Sequence, residues 1–327
     1  MNPKKFAFII CTNSELYMNE CRYYINMLVV PAGFETEIIE IRDASGMTSG
    51  YNTGMQQSDA RYKIYMHQDT FLTDRSILFE LLEIFMDTSI GMVGLIGGDL
   101  YDDADIHHYW NRGHVLNATY DELIDIDMRL QETDQCCIPV QAVDGLFIAT
   151  QYDIEWDERI YKWHMYDISQ SIRFKESGYT VCVVNTEKTW AIHDAGFCSE
   201  SGYDESRINL INCYPGYFKY APIERELLTD DLDSAYIRNI ISETALTEAQ
   251  RTGSTLIPED INSFYPLYSQ TKFYIYRMVS GMPENDWHGL INMILTKKIS
   301  TSFLMILLNR CTLDPEAAAI LIENALA

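Results

Sequence analysis

Short apolar runs alternate with segments of helical periodicity over the first part of the chain. The runs are too short for helices and rich in β-branched or aromatic residues, which is typical of strands buried on both faces of a sheet. They are FAFIIC at Phe6–Cys11, TEIIEI at Thr36–Ile41, YKIYM at Tyr62–Met66, and Ile90–Ile96. Between them, apolar side chains recur at helical spacing, most clearly at Ile77–Met86. This order predicts a mostly parallel sheet flanked by helices, a Rossmann-like α/β fold. The later strand that leads to His193 is expected to lie in the same sheet.

The pattern changes twice beyond this region. Gly98–Cys137 has little periodicity and is rich in Asp, His and Asn, which favours long loops with a hairpin. Regular structure resumes at Ile138–Thr150 and in a helix at Asp167–Ser177, which Gly178 ends. From about Ser206 onward only helical patterns occur. We therefore predict an α/β domain over residues 1–225 and an all-helical C-terminal region over residues 226–327.

Composition argues against several classes of function. Of the 327 residues 47% are apolar, enough for a packed core, and the formal charge is −24. This negative field repels nucleic-acid backbones and anionic lipid surfaces, so we expect neither as a partner. A nucleotide ligand remains compatible with it, because a bridging divalent cation reverses the local sign of the field.

The cysteines and the hydropathy pattern favour a cytoplasmic location. None of the eight cysteines forms a C-x-x-C pair, and Cys11 and Cys182 lie within apolar runs, where free thiols are common. No uncharged apolar run reaches the ~20 residues that cross a bilayer, so we expect no transmembrane segment. The apolar stretch that ends at Cys11 is too short for a signal peptide and is soon followed by Glu15.

Polar residues follow each of the first three predicted strands. Thr12 and Glu15 come after the first strand, Asp43 after the second, and His67-Gln68-Asp69 after the third. In open parallel sheets, ligands bind beyond the carboxyl ends of the strands. Carboxylates and an imidazole at one such edge predict a nucleotide-and-metal site. Helix caps and turns are the alternative explanation for polar residues at strand ends.

Five segments in order give the chain a resemblance to a known family. They are the opening strand FAFIICTN, the segment DASGMTSGYNTGM, YKIYMHQD, VDGLFIAT, and WDERIYKWHMYDISQSIRFKESGY followed by IHDAG. In this order and spacing they resemble the family 2 glycosyltransferases with the GT-A fold, in particular the subgroup related to a streptomycin-biosynthesis protein. The resemblance covers residues 6–201.

The resemblance implies a nucleotide-sugar donor held through a divalent metal. The D-x-D signature of the family falls on His67-Gln68-Asp69, so that Asp69 matches its last carboxylate and His67 replaces the first. Because an imidazole suits Mn²⁺ better than Mg²⁺, this replacement leaves the identity of the metal open. His193 in IHDAG resembles a histidine that completes the metal site; the alternative is a structural histidine at a strand end near a turn. The remaining positions expected to contact the donor are Thr12, Glu15, Asp43 and Asn52.

The resemblance also places the catalytic base and the acceptor. The E-D signature of the family falls on Tyr166-Asp167, so the Asp is present and the Glu is missing. Asp167 is therefore the expected base, ionised at a helix N-terminus. The alternative is a helix N-cap, because Gln170 follows three residues later as in a capping box. Acceptor contacts are expected from Asp144, Gly145 and Trp163.

These assignments imply a hexosyltransferase-like glycosyltransferase. The expected reaction is an inverting transfer of a sugar from a nucleotide-diphosphate donor, of which a UDP-sugar is the first choice, to a carbohydrate or other hydroxyl acceptor. Two alternatives stay open. One is a degenerate relative that binds a sugar nucleotide or a partner protein without turnover. The other is a nucleotidyltransferase, which the absence of Lys and Arg from CTNSELY disfavours. The helical region would serve either homodimerisation or acceptor docking.

Overall fold

The computed structural model describes most of the predicted α/β domain. It covers residues 1–13, 15–100, 110–119, 123–130, 133, 135–196 and 202–218. The predicted helical region at 226–327 and the domain boundary near residue 225 lie outside these described residues.

Thirteen strands and five helices are described. The strands are β1 (Asn2–Cys11), β2 (Glu35–Ile41), β3 (Ala60–His67), β4 (Thr70–Leu72), β5 (Ile90–Gly94), β6 (Ile96–Gly98), β7 (Arg112–Thr119), β8 (Leu123–Met128), β9 (Cys137–Pro139), β10 (Ala142–Val143), β11 (Phe147–Thr150), β12 (Thr180–Val184) and β13 (Ala191–Gly196). The helices are α1 (Glu15–Asn26), α2 (Met47–Gln57), α3 (Ile77–Ile84), α4 (Tyr166–Glu176) and α5 (Tyr203–Cys213). None of these five helices is long and apolar enough to span a membrane.

The first sheet has seven strands in the order β2-β1-β3-β11-β5-β12-β9. Strands β2, β1 and β3 run parallel, as do β5 and β12. Strand β11 runs antiparallel to both of its neighbours, and β9 runs antiparallel to β12. The α/β class is therefore confirmed, whereas the mostly parallel sheet was wrong. A short apolar run such as FIAT predicts a buried strand but carries no sign of its direction.

The second sheet has six strands and places His193 differently from the prediction. Its order is β10-β6-β7-β13-β4, with β8 paired to β7 as the hairpin expected in the irregular middle region. The alternating pattern of strands and helices predicted the strand of His193 in the same sheet as β1 to β3. It lies instead in the second sheet, where β13 pairs antiparallel with β4 and His193 stands opposite Thr70. Since β4 directly follows β3, the turn between them joins the two sheets at the predicted site.

Two apolar layers explain why the Phe6–Cys11 part of β1 is a continuous apolar run. Phe6, Phe8 and Ile10 pack into a core with α1 and α3 on one face of the first sheet. The alternate residues Ala7, Ile9 and Cys11 pack into a second core with α2 and α4 on the other face. Because both faces of Phe6–Cys11 are covered, no position in this part of the strand can be polar without a buried partner. The first sheet is thus a rigid support for the residues that follow its strands.

Candidate active site

A cavity of about 610 Å³ opens where β1, β2 and β3 end. Because these strands are parallel, their carboxyl ends meet at one edge of the sheet, as the sequence predicted. Its wall includes Thr12, Arg42, His67, Asp69, Trp163 and His164. Of the positions assigned to the donor, the cavity therefore brings together Thr12, His67 and Asp69.

Of the other three positions predicted for the donor, two do not line the cavity, and the side chain of the third is not among the described residues. Asp43 is exposed and stands between two residues of the cavity wall, Arg42 and Ala44. Asn52 is buried outside the cavity wall, where its side chain donates to the carbonyl of Trp156 at 3.0 Å and accepts from its N–H at 2.8 Å. This pair of bonds ties α2 to the segment before α4. The side chain of Glu15 is outside the described residues.

Gln68 connects two edges of the cavity, a role that the sequence analysis missed. Its amide oxygen accepts from the Thr12 hydroxyl at 2.7 Å, and its amide nitrogen donates to Asn13 Oδ1 at 2.7 Å. These bonds fix the turn after β3 against the end of β1. Gln68 is the middle residue of the His-x-Asp motif, and a motif defined by its outer positions gives no reason to single it out.

His67, Asp69 and His193 form a group that could hold a metal ion. Nδ1 of His67 and Nε2 of His193 each lie 3.8 Å from the same oxygen, Oδ1 of Asp69. That oxygen is buried and accepts no hydrogen bond from any described residue. A buried, unpaired carboxylate oxygen is costly unless a cation or another donor satisfies it. The three side chains therefore fit a divalent cation, and the predicted residues Asp69 and His193 are brought together.

The chemistry of this group favours some metals over others. Two imidazoles and one carboxylate suit Mn²⁺, Fe²⁺, Co²⁺ or Zn²⁺ better than Mg²⁺, which prefers oxygen ligands. Burial lowers the pKa of His67 below its ordinary value, which favours the neutral ring that ligates metals. The second nitrogen of each ring has a protein partner. Nδ1 of His193 lies 3.1 Å from Oδ1 of Asn117, and Nε2 of His67 is hydrogen-bonded to the Tyr166 hydroxyl.

Asp167 is buried at the start of α4 and holds two backbone groups. Its Oδ2 accepts from the N–H of Gly145 at 3.0 Å, and its Oδ1 accepts from the N–H of Ile168 at 2.9 Å. The alternative role of Asp167 as a helix N-cap is wrong, because α4 begins at Tyr166 with Met165 as the N-cap. Gln170 does not close a capping box, since its side-chain nitrogen donates to the carbonyl of Ile154.

The ionisation expected for Asp167 is also corrected. Burial, reinforced by the negative charge of Asp144, raises the pKa of Asp167 to about 7. The favourable effect of a helix N-terminus is smaller than the cost of burying the charge. The carboxyl group is therefore near half-ionised at neutral pH, a state suited to proton transfer.

The positions predicted for the acceptor lie on two segments. Asp144 accepts from the N–H of Leu146 at 2.8 Å in the turn before β11, and Gly145 contacts Asp167 as described. Trp163 is 48% exposed in the cavity wall. It lies between Lys162 and Met165, two non-glycine residues with φ of 73° and 65°. Left-handed backbone of this kind is strained, and such strain clusters at ligand-binding segments.

The neighbouring segment explains how this strained backbone is held. The N–H of Met47 donates to the carbonyl of Lys162 at 2.8 Å. Gly46 permits that contact, since a Cβ there would lie 2.6 Å from the same carbonyl oxygen. On the other side, Tyr161 donates to Glu205 of α5 at 2.9 Å. Trp163 is therefore held at the cavity by α2 and α5 together.

Comparisons with known proteins give one family and several distant structures. The pattern of a family described as "Glycosyltransferase like family" matches residues 7–214, more than half of the chain. No curated protein matches the chain significantly. Residues 1–349 of TarS from S. aureus are 12% identical with a TM-score of 0.39, over 87% of this chain and 91% of that one. GalNAc-T7 with UDP, GalNAc and Mn²⁺ is 10% identical with a TM-score of 0.46, over 84% of this chain and 56% of that one.

The TM-scores and identities of these two structures are too low to support a conclusion about function. The family match, by contrast, spans both sheets, the cavity and the group formed by His67, Asp69 and His193. The chain belongs to the glycosyltransferase-like family.

Proposed function

We propose that the protein transfers a sugar from a UDP-sugar to a hydroxyl acceptor with the help of a divalent cation. The observation that carries this proposal is the unpaired Oδ1 of Asp69, which faces two imidazole nitrogens beside a cavity at the strand ends. Family membership supports the reaction class. The choice of uridine and the inverting course rest on the resemblance of the motifs.

Different side chains at the cavity would bind the metal and the nucleoside of the donor. His67, Asp69 and His193 would hold the cation, which supplies charge neutralisation of the departing diphosphate. Thr12 and Arg42 border the region for the nucleoside, where Gln68 fixes the wall. Cys11 also lines the cavity, but burial raises the pKa of its thiol to about 12, so it stays neutral and is no nucleophile.

Proton transfer is assigned to Asp167. Each of its oxygens accepts one backbone hydrogen bond and retains a further lone pair for a proton. Asp167 would take the proton of the acceptor hydroxyl as the new glycosidic bond forms and the bond to the diphosphate breaks. The exposed ring of Trp163 would stack on the acceptor sugar at the mouth of the cavity.

A thermal-shift screen of nucleotides and nucleotide sugars tests the proposed ligand. With Mn²⁺ present, UDP or its sugar at ~100 times its dissociation constant should stabilise the fold by ~2.7 kcal/mol. ADP serves as the control for nonspecific diphosphate binding. We expect the shift with UDP to exceed that with ADP and to shrink when Mg²⁺ replaces Mn²⁺. Equal shifts with and without metal would contradict the proposed role of the cation, and no shift with any nucleotide would contradict the function.

The raised pKa of Asp167 predicts a pH dependence of transfer. Because the base must be ionised, the rate should rise with pH up to about 7 and then level off. Below that value the rate should fall by about tenfold per pH unit. The measurement is the rate of UDP release at saturating donor and acceptor across pH. A rate that stays flat from pH 5 to 8 would argue against Asp167 as the base.

The raised pKa of Asp167 also makes the stability of the fold depend on pH. Stability should fall as pH rises, whereas the rate of transfer should increase. The pKa of Asp167 is raised in the folded state, so the folded protein retains this proton to higher pH than the unfolded chain does. The contribution of Asp167 to the free energy of unfolding is therefore fully present below the unfolded pKa of ~4 and is lost as pH rises to about 7. This part of the pH dependence of Tm should be absent from Asp167→Asn.

A further inference from the structure

Tyr166 contacts the candidate metal ligand His67 at one ring nitrogen, whereas the other ring nitrogen faces Asp69. Its hydroxyl is hydrogen-bonded to Nε2 of His67, and its ring is 4% exposed. Tyr166 and His67 occupy the two positions at which the chain departs from the signatures of the resembled family. Since the two side chains touch, the two departures belong to one arrangement.

The two nitrogens of His67 have different surroundings, which decides what the ring can do. Nε2 is engaged by Tyr166, whereas Nδ1 lies 3.8 Å from Oδ1 of Asp69, too far for a hydrogen bond. A neutral imidazole carries its proton on one nitrogen and a lone pair on the other. Nδ1 can ligate a cation only when the proton sits on Nε2, and the Tyr166 oxygen must then accept it.

His193 has the same arrangement with its nitrogens exchanged. Its Nε2 faces Oδ1 of Asp69 at 3.8 Å, and its Nδ1 lies 3.1 Å from the side-chain oxygen of Asn117. An amide oxygen accepts hydrogen bonds, so the proton of this ring belongs on Nδ1. Metal-ligating histidines commonly donate their second N–H to such a partner, which fixes the tautomer and the ring orientation.

We propose that Tyr166 is a positioning residue for the metal, with Asn117 as its counterpart. By accepting the Nε2–H of His67, the Tyr166 hydroxyl keeps the lone pair of Nδ1 directed at the place where the cation meets Asp69. Asn117 does the same for His193 from the second sheet. This inference rests on the proposed metal-assisted function and adds the residues that orient its two imidazole ligands.

Gly145 makes room for this contact, which gives the inference an independent support. A Cβ on Gly145 would lie 1.9 Å from the Tyr166 hydroxyl and 2.4 Å from Cζ of its ring. The ring cannot yield by rotating a flexible tail, because Tyr51 and Trp156 pack around it with centroids at 5.8 and 6.1 Å. A side chain at Gly145 would therefore push the hydroxyl away from His67. Gly145 thus donates its N–H to Asp167 and also leaves room for the contact between Tyr166 and the candidate metal ligand His67.

The test is a titration of the full-length protein with Mn²⁺ alone, read from the electron paramagnetic resonance of the free ion. Tyr166→Phe should weaken Mn²⁺ binding by about 10- to 100-fold, since it removes the partner of a metal-ligating ring. Gly145→Ala should weaken it in the same direction by displacing the hydroxyl. The matched control is Tyr51→Phe, which removes a buried hydroxyl from the same aromatic cluster, 3.4 Å from the carbonyl of Met66.

A merely structural role for Tyr166 predicts a different result. Tyr166→Phe would then lower Tm as Tyr51→Phe does and leave the Mn²⁺ affinity of the folded protein unchanged, which would overturn the inference. Failure of the wild-type protein to bind Mn²⁺ would overturn both this inference and the proposed metal assistance. Normal Mn²⁺ binding that depends on Tyr166, without any effect of UDP, would support the inference and contradict the proposed donor.

A measurement on the unmodified chain covers the case in which the variants do not fold. Nitrogen-15 NMR of the histidine side chains, with Zn²⁺ as a diamagnetic probe, reports which ring nitrogen carries the proton. We expect the proton on Nε2 of His67 and on Nδ1 of His193. A Zn²⁺-loaded protein with the proton of His67 on Nδ1 would overturn the inference.

Discussion

Replacing Asp167 with Asn is expected to lower the rate of sugar transfer by ~100- to 10,000-fold, the usual contribution of general-base catalysis. The side chain keeps its shape but loses the carboxylate that we propose as the acceptor of the hydroxyl proton. Donor binding should stay close to that of the wild type, because Asp167 is absent from the wall of the cavity at the ends of β1, β2 and β3. The measurements are the rate of transfer at saturating substrates and the calorimetric affinity for UDP.

The stability of this variant needs a control, because Asp167 also has a structural role. Asn offers one side-chain oxygen, so either Gly145 or Ile168 loses the acceptor for its N–H. Loss of a buried hydrogen bond costs ~1–3 kcal/mol, and removal of the buried charge offsets part of this cost. Asp157→Asn is the matched control, since Asp157 is equally buried and accepts from the N–H of Arg159 outside the donor cavity.

The two variants together separate catalysis from folding. We expect both to shift Tm and only Asp167→Asn to lose transfer. Full transfer activity in folded Asp167→Asn would contradict its assignment as base and would move attention to Asp144, whose charge lies close enough to raise the pKa of Asp167. Equal losses in both variants would mean that the effect comes from stability.

Replacing Asp69 with Asn is expected to weaken Mn²⁺-dependent binding of UDP by about tenfold or more, that is by at least ~1.4 kcal/mol. Oδ1 of Asp69 faces both imidazoles, and an amide supplies neither its charge nor a comparable ligand. The transfer rate should fall as well, because the leaving diphosphate would lose its counter-charge. Calorimetry with UDP at fixed Mn²⁺ measures the binding effect.

A second Asp–His pair of the chain provides the control for this variant. Asp125 on β8 accepts from Nε2 of His114 at 2.8 Å, away from the cavity wall. Asp125→Asn removes a carboxylate from an imidazole in the same way but should leave UDP binding unchanged. Unaltered affinity in Asp69→Asn in the presence of Mn²⁺ would remove Asp69 from the metal site.

The sequence predicted the part of the site that follows from where strands end along the chain. Strand ends can be located from apolar runs such as FAFIIC and YKIYM, and parallel strands must present their carboxyl ends together. For this reason Thr12, His67 and Asp69 were expected at one edge, and the cavity is found there. A hairpin somewhere in Gly98–Cys137, where β7 and β8 pair, and a helix ended by Gly178 were also predicted.

The rest depends on contacts between residues far apart in the chain. The pairing of β13 with β4 rather than with the first sheet follows from how the turn after β3 crosses between sheets, which no local pattern reports. The contact of Tyr166 with His67 spans 99 positions, and that of Asn117 with His193 spans 76. Nothing in the local sequence indicated that Asp167 would be buried. Its raised pKa therefore could not be predicted from its place at a helix N-terminus. Asn52 could not be assigned from the sequence for the same reason. A polar residue in a motif can bind the ligand or, as Asn52 does, form hydrogen bonds to the backbone of a distant segment.

The central claim is that a divalent cation on His67, Asp69 and His193 holds the diphosphate of a uridine nucleotide in the cavity beside them. One calorimetric experiment tests it most directly, the titration of UDP into the wild-type protein with Mn²⁺, after removal of the metal with EDTA, and after its return. The predicted result is an affinity that falls by about tenfold or more without Mn²⁺ and recovers when Mn²⁺ is restored. An affinity that is the same in all three titrations, or no binding in any of them, would contradict the account.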